Sequence, residues 1–174
     1  MSKAIERIKM TNKEFYELEN QIRIQEHLRR YAAIRRFIYG RVLDFACGCG
    51  YGTYLLSKSP EISNVIGIDK DAESIEWASK EFSSSKSTFL SIDVTDFTEK
   101  INKLVSLETI EHFDSNDIYN TVLENCEVDN FILSYPNKKS THFNKFHLRD
   151  LTKQEVLSSF ENYILYHTFS MGDV

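Results

Sequence analysis

Val42-Leu43-Asp44-Phe45-Ala46-Cys47-Gly48-Cys49-Gly50-Tyr51-Gly52 carries an apolar run straight into a turn with glycine at every second position. A short apolar run of this kind reads as a buried strand, and the glycines let the backbone turn tightly and approach a neighbour closely. The next apolar run, Val65-Ile66-Gly67-Ile68, ends on Asp69, and a third, over 88–92, ends on Asp93. Helical patterns separate the runs. The chain therefore reads as an α/β fold on a doubly wound, mainly parallel sheet, and such sheets bind ligands beyond the carboxyl ends of their strands.

Working outward, residues 12–39 contain no Gly or Pro and place Phe15, Leu18, Ile22, Leu28, Tyr31, Ala32, Ile34 and Phe37 mostly at helical spacing. One or two amphipathic helices are expected there, stopped by Gly40. They form an N-terminal helical cap (1–40) on the α/β core (41–174) of a single domain, the size a 174-residue chain supports. Strands are expected at 41–45, 64–68, 88–92, 104–107, 130–134 and 163–169. Helices are expected near 51–58, at 72–82 behind an Asp71 cap, at 114–124, and at 152–160 behind a Thr152-x-x-Glu155 capping box.

A net charge of −5 gives no global basic field for neutralising phosphates, so nucleic acid is not an expected partner. The first ten residues carry Lys3, Glu6, Arg7 and Lys9 and no apolar stretch, and no run of about 18 apolar residues occurs anywhere, so a cytoplasmic protein without a membrane span is expected. Cys47, Cys49 and Cys126 cannot all pair, and two lie within the glycine turn, which suits a reducing compartment. Zinc would need further soft ligands near them and none follow, so no metal is expected.

Three kinds of glycine cradle compete for the turn. A phosphate-binding P-loop needs Lys and then Ser or Thr after its last glycine, whereas Gly52 precedes Thr53-Tyr54. The dinucleotide fingerprint needs its third glycine three residues after the second, where Thr53 stands. Alternate glycines after an acidic strand end instead resemble the first motif of class I S-adenosylmethionine-dependent methyltransferases. One of that motif's glycines is replaced by Ala46.

The resemblance implies a Rossmann-like methyltransferase fold and S-adenosylmethionine as cofactor, with S-adenosylhomocysteine as product. It implies that Asp44 and the turn of Ala46, Gly48, Gly50, Tyr51 and Gly52 hold the methionine part. Asp69, followed by Lys70, would accept both ribose hydroxyls, and Asp93 the adenine amino group, with the Val94 N–H available to the ring. Glu108 would lie beside cofactor or substrate, and Arg30 and Tyr31 would reach the methionine carboxylate. Ser134-Tyr135-Pro136-Asn137, the stretch from Asn144 to Thr152 containing Phe146-His147-Leu148-Arg149, and Glu26-His27-Leu28-Arg29-Arg30-Tyr31 resemble a small-molecule and glycan-associated branch. Asn102 stands where the fourth strand usually begins with Asp. Only fourteen residues follow Phe160, so the final strand of the fold is expected to be missing, leaving a sheet edge for pairing with a second copy.

Methyl transfer from a sulfonium needs neither metal nor covalent nucleophile, but a hydroxyl or amine acceptor must lose a proton. His112 and His147 are the candidate general bases; the bland alternative is a pair of locally bonded histidines. Cys47 and Cys49 read as small fillers of a crowded turn. Tyr135, Phe143 and Phe146 are expected to pack under the loop that carries them. No Pro-Pro-aromatic follows the fourth strand and no Pro-Cys nucleophile is present, which removes the base-methylating classes. The expected activity is methyl transfer to O or N of a small-molecule or glycan acceptor. A non-catalytic partner subunit that binds the cofactor, and a nicotinamide-dependent oxidoreductase, remain open alternatives.

Overall fold

A computed structural model describes Lys9, residues 11–16 and residues 22–171. Strands β1 (Gly40–Phe45), β2 (Ile62–Asp69), β3 (Ser87–Ser91), β4 (Lys103–Leu107) and β5 (Asn130–Ser134) form one all-parallel sheet in the order β3-β2-β1-β4-β5. Helices are α1 (Asn12–Tyr16), α2 (Ile22–Ile34), α3 (Tyr51–Ser57), α4 (Ala72–Phe82), α5 (Asp117–Asn125) and α6 (Lys153–Ser159). The order reverses between β1 and β4, which opens a crevice at the strand ends there.

Alternation along the strands builds a core on each face of the sheet. Leu43, Phe45, Ile66, Ile68 and Leu104 face α5 and α6 through Tyr119, Val122, Val156 and Phe160. Val42, Val65 and Val105 face the other way, onto Tyr31, Ile34 and Ile38 of the N-terminal segment, Tyr51, Tyr54 and Leu56 of α3, and Phe82 of α4. Each such apolar side chain contributes about 1.5–3 kcal/mol when fully buried. The helical cap thus shares its core with the sheet. Leu18 lies outside the described residues.

Local signals explain the starts of α4 and α6. Asp71 accepts from Ser74 N and opens α4, and Thr152 and Glu155 close a reciprocal capping box at α6. Gly40 departs from expectation: α2 ends at Ile34, a 3₁₀ turn carries the chain to Phe37, and Gly40 opens β1 at φ +67. The Asn102 side chain fills the space beside it and its Oδ1 accepts Arg41 N at 2.9 Å.

The expected strand at 163–169 does not form. Tyr163 N donates to Phe160 O, turning the chain, and the Tyr163 ring packs edge-on against Phe131 at 5.2 Å. Among the described residues no backbone hydrogen bond joins 164–171 to the sheet, so the strand propensity of that segment finds no ladder, and Ile164 and Tyr166 are 78% and 82% exposed. No helix among the described residues is long and apolar enough to cross a membrane.

Candidate functional site

Register places the strand-end acids in a staircase. Asp44 pairs with Gly67, two residues before Asp69, and Asp69 pairs with Ser91, two residues before Asp93. Between them lies the glycine turn, whose backbone is left-handed at alternate positions: Ala46 at φ 57, Gly48 at φ 56 and Gly50 at φ 84. Cys47 N donates to Ile68 O at 3.0 Å, carrying the β1–β2 pairing past the strand end.

The glycines do different work. A Cβ on Gly50 would meet Ala78 Cβ at 2.5 Å and Phe89 Cε1 at 2.7 Å, and one on Gly52 would overlap the Tyr31 ring. A Cβ on Gly48 would meet nothing within 4 Å. Gly50 and Gly52 therefore make room for protein, and Gly48 alone faces open space. Gly67, which the sequence reading passed over, lets Thr53, Cys47 and Phe89 close over β2, since a Cβ there would lie 2.7 Å from Thr53 Oγ1.

Asp44 is fully buried beneath the turn. Thr53 Oγ1 donates to its Oδ2 at 2.6 Å and Tyr31 OH to its Oδ1 at 3.4 Å. Burial pushes its carboxyl up to about 7; the two hydrogen bonds pull the other way and the Asp69 charge adds to the rise. Cys47 and Cys49 are buried, and burial holds the Cys47 thiol well above its usual range. That is a filler's environment, not a nucleophile's.

Asp69 fastens the turn to the end of β2, its Oδ2 accepting Gly48 N at 3.0 Å and its Oδ1 accepting Asp71 N at 2.9 Å. Asp93 is exposed, and its Oδ1 accepts Thr95 N at 3.0 Å and Thr95 Oγ1 at 2.7 Å, bonds that hold its carboxyl below the usual range. Val94 is buried and Lys70 exposed. Beyond β4, Glu108 adopts φ 53, an uncommon backbone for a side chain of its size and one that clusters at functional sites. Ser134 Oγ donates to Glu108 Oε1 at 2.7 Å, and Arg30 Nε of α2 lies 3.5 Å from the same oxygen. Arg30 is thus brought to a protein carboxylate at the strand ends. His27 Nδ1, one turn earlier, lies 3.0 Å from Tyr51 OH; burial and then Arg30 bring this histidine down to about 4.

His112 and His147 are brought together. Their rings stack edge-on with centroids 4.8 Å apart, and Nε2 of each approaches the buried carboxylate of Glu111, at 4.0 and 3.8 Å. Glu111 was missed by the sequence reading. One of its two histidine partners, His147, lies in a loop beyond β5, so no local spacing marks the set. Of the loop aromatics, Tyr135 and Phe146 are half-buried, but Phe143 is 72% exposed, with its ring against His142 rather than under the loop.

The sequence profile of one protein family, described as methyltransferase domain, matches residues 42–128, half of the chain, running from within β1 past the end of α5 and including the turn and the acids. The chain belongs to this methyltransferase domain family. Among solved structures, the methyltransferase domain is similar to the magnesium protoporphyrin IX methyltransferase ChlM of Synechocystis PCC 6803, solved with bound S-adenosylhomocysteine, with a TM-score of 0.68 and 15% identity over 83% of this chain and 75% of that one. It is also similar to YcgJ of Bacillus subtilis, with a TM-score of 0.62 and 17% identity over 76% of this chain and 66% of that one. The N-methyltransferase NodS of Bradyrhizobium japonicum WM9 matches with a TM-score of 0.50 and 17% identity over 63% of this chain. The chain spans 58% of the length of the NodS structure. No curated protein matches by sequence.

Proposed function

We propose that this methyltransferase domain binds S-adenosylmethionine across the ends of β1, β2 and β3 and directs its methyl group to an oxygen or nitrogen of a small-molecule or glycan acceptor. The observation that carries the reading is the staircase of Asp44, Asp69 and Asp93 around a turn whose one outward glycine, Gly48, faces open space. The donor set suits the ligand. A carboxylate can accept both hydroxyls of a vicinal diol.

In this reading Asp69 holds the ribose, and Asp93 with the Val94 N–H holds the adenine, Asp93 Oδ2 standing apart from the oxygen that caps Thr95. Ala46, Gly48, Gly50, Tyr51 and Gly52 shape the turn against the methionine part, with Asp44 beneath them as a buried counter-charge. Arg30 and Glu108 border that end, Lys70 the other. The cofactor, when bound, supplies a methyl group already activated on sulfonium, so the chain's task is orientation and exclusion of water. His112 and His147 are proposed to handle the acceptor's proton; a proton taken up at either Nε2 sits within 4.0 and 3.8 Å of Glu111 Oε1.

A cytoplasmic location and self-association along the open edge of β5 belong to the same proposal. The test is formation of S-adenosylhomocysteine when the protein is incubated with S-adenosylmethionine and fractionated small metabolites and glycans. Product formed with one fraction, and lost in His147→Ala, supports the reading. Cofactor bound without turnover in any fraction would place the chain with non-catalytic partner subunits.

A further inference from the structure

We propose that Glu111, His112 and His147 form a binding site for one divalent cation of the manganese-to-zinc series. One ligand atom from each of the three residues lies within 4.8 Å of the others, and the Nε2 atoms of His112 and His147 stand 4.0 and 3.8 Å from Glu111 Oε1. Around an ion with bonds of about 2.0–2.2 Å, ligand atoms stand about 3–3.5 Å apart, so movements of less than about 1 Å close the set.

The orientation of each ring is already fixed for this task. His112 Nδ1 lies 3.0 Å from the Phe146 carbonyl, which only accepts, so Nδ1 carries the proton and Nε2 presents its lone pair. His147 Nδ1 lies 2.7 Å from Ser140 Oγ, which also stands 3.5 Å from Asp150 Oδ1, and a metal at Nε2 takes the tautomer in which Nδ1 donates to that hydroxyl. Metal-ligating histidines are held in this way, with the distal nitrogen bonded to a backbone carbonyl or a fixed acceptor. Asp150 Oδ1 also accepts Ser140 N at 2.6 Å, which pins the hydroxyl that pins His147.

The backbone fixes the two segments to each other. Leu148 N and Arg149 N both donate to Glu111 O, at 2.8 and 3.3 Å, and the Arg149 guanidinium donates to Ile110 O at 3.1 Å. The loop that supplies His147 is therefore docked on the turn that supplies Glu111 and His112. Glu111 and Ser140 are 1% and 3% exposed, whereas the His112 side chain is 27% exposed, so an ion and its water have a way in.

Two imidazoles and one carboxylate select ions that accept nitrogen. Magnesium and calcium, which take oxygen ligands, are disfavoured. Three protein ligands leave coordination positions for water or an oxygen-bearing ligand. A bound ion turns His112 and His147 from bases into ligands. The site does not depend on the cofactor reading.

Chelator-treated, dialysed protein titrated with Co²⁺ and with Zn²⁺, followed by calorimetry and visible absorption, tests the proposal. One saturable site of micromolar affinity or tighter is expected, with cobalt bands of nitrogen and oxygen coordination and no comparable uptake of Mg²⁺. Ser140→Ala, which removes the hydroxyl that holds His147 Nδ1, should weaken binding about tenfold, and His147→Ala and Glu111→Gln by more. No saturable uptake by the wild-type protein, an unchanged constant in His147→Ala, or sulfur-to-cobalt charge-transfer absorption from the cysteines overturns it. The wild-type spectra decide the matter even if a variant fails to fold. S-adenosylhomocysteine binding by the same sample tests the cofactor reading separately, so either can fail alone.

Discussion

The Tyr31 ring occupies the space that a side chain at Gly52 would need: a Cβ there would overlap Cζ, Cε1 and Cε2 of the ring. Tyr31 is buried and its hydroxyl reaches Asp44, so the ring cannot swing aside without breaking into the carboxylate beneath the turn. Gly52→Ala should therefore cost about 1–3 kcal/mol of stability by overpacking, read as a lower denaturant midpoint at unchanged slope. Gly48→Ala meets no protein atom and carries only the left-handed strain, about 1 kcal/mol, yet it should weaken S-adenosylhomocysteine binding because its methyl enters the open space. Equal affinity in Gly48→Ala and wild type would remove the ligand from the front of the turn.

Asp44 gives the protein a pH dependence of known sign. Its carboxyl titrates near 7 when folded and near about 3.9 when unfolded, so the folded state binds the proton more tightly. The stability it contributes is complete below the unfolded value and is lost as pH rises through about 7. Melting curves between pH 4 and 8 should show a decline that Asp44→Asn flattens. An unchanged profile in that variant would assign the decline to other groups. Binding of a cationic ligand beside Asp44 should also release a proton near neutral pH, detectable by calorimetry in buffers of different ionisation enthalpy.

The capping box of α6 is separate from the site. Thr152→Ala removes the acceptor for Glu155 N and should cost about 0.5–2 kcal/mol, measured by thermal unfolding, with S-adenosylhomocysteine affinity unchanged. A matching loss of affinity would tie α6 to the strand ends.

What the sequence announced and what it hid divide along locality. Strands, the Asp71 cap and the Thr152 box lie in runs of a few residues whose periodicity or hydrogen-bonding chemistry is self-contained, and the acids recur at the same place on three strands. The turn was legible as a turn, but the reason for its glycines was not: Tyr31, Ala78 and Phe89 arrive from three other elements. Gly40 looked like a helix stop because composition cannot show that Asn102 fills the space beside it. Glu111, His112 and His147 form one cluster only because a backbone-docked loop folds back onto the end of β4. The apolar run at 163–169 had the residues of a strand, but after the turn at Tyr163 it makes no backbone hydrogen bond to the sheet.

The central claim is that Asp69 closes the turn at Gly48 and holds a ribose diol at the same time. Calorimetric titration of S-adenosylhomocysteine into wild type and Asp69→Ala, with folding checked by circular dichroism, measures this directly. The account predicts one site per chain in the wild type and a loss of about 1.5–3 kcal/mol in the variant, the scale of hydrogen bonds to a charged group. Wild-type protein that is folded and takes up no S-adenosylhomocysteine, or a variant that binds it equally well, would contradict it.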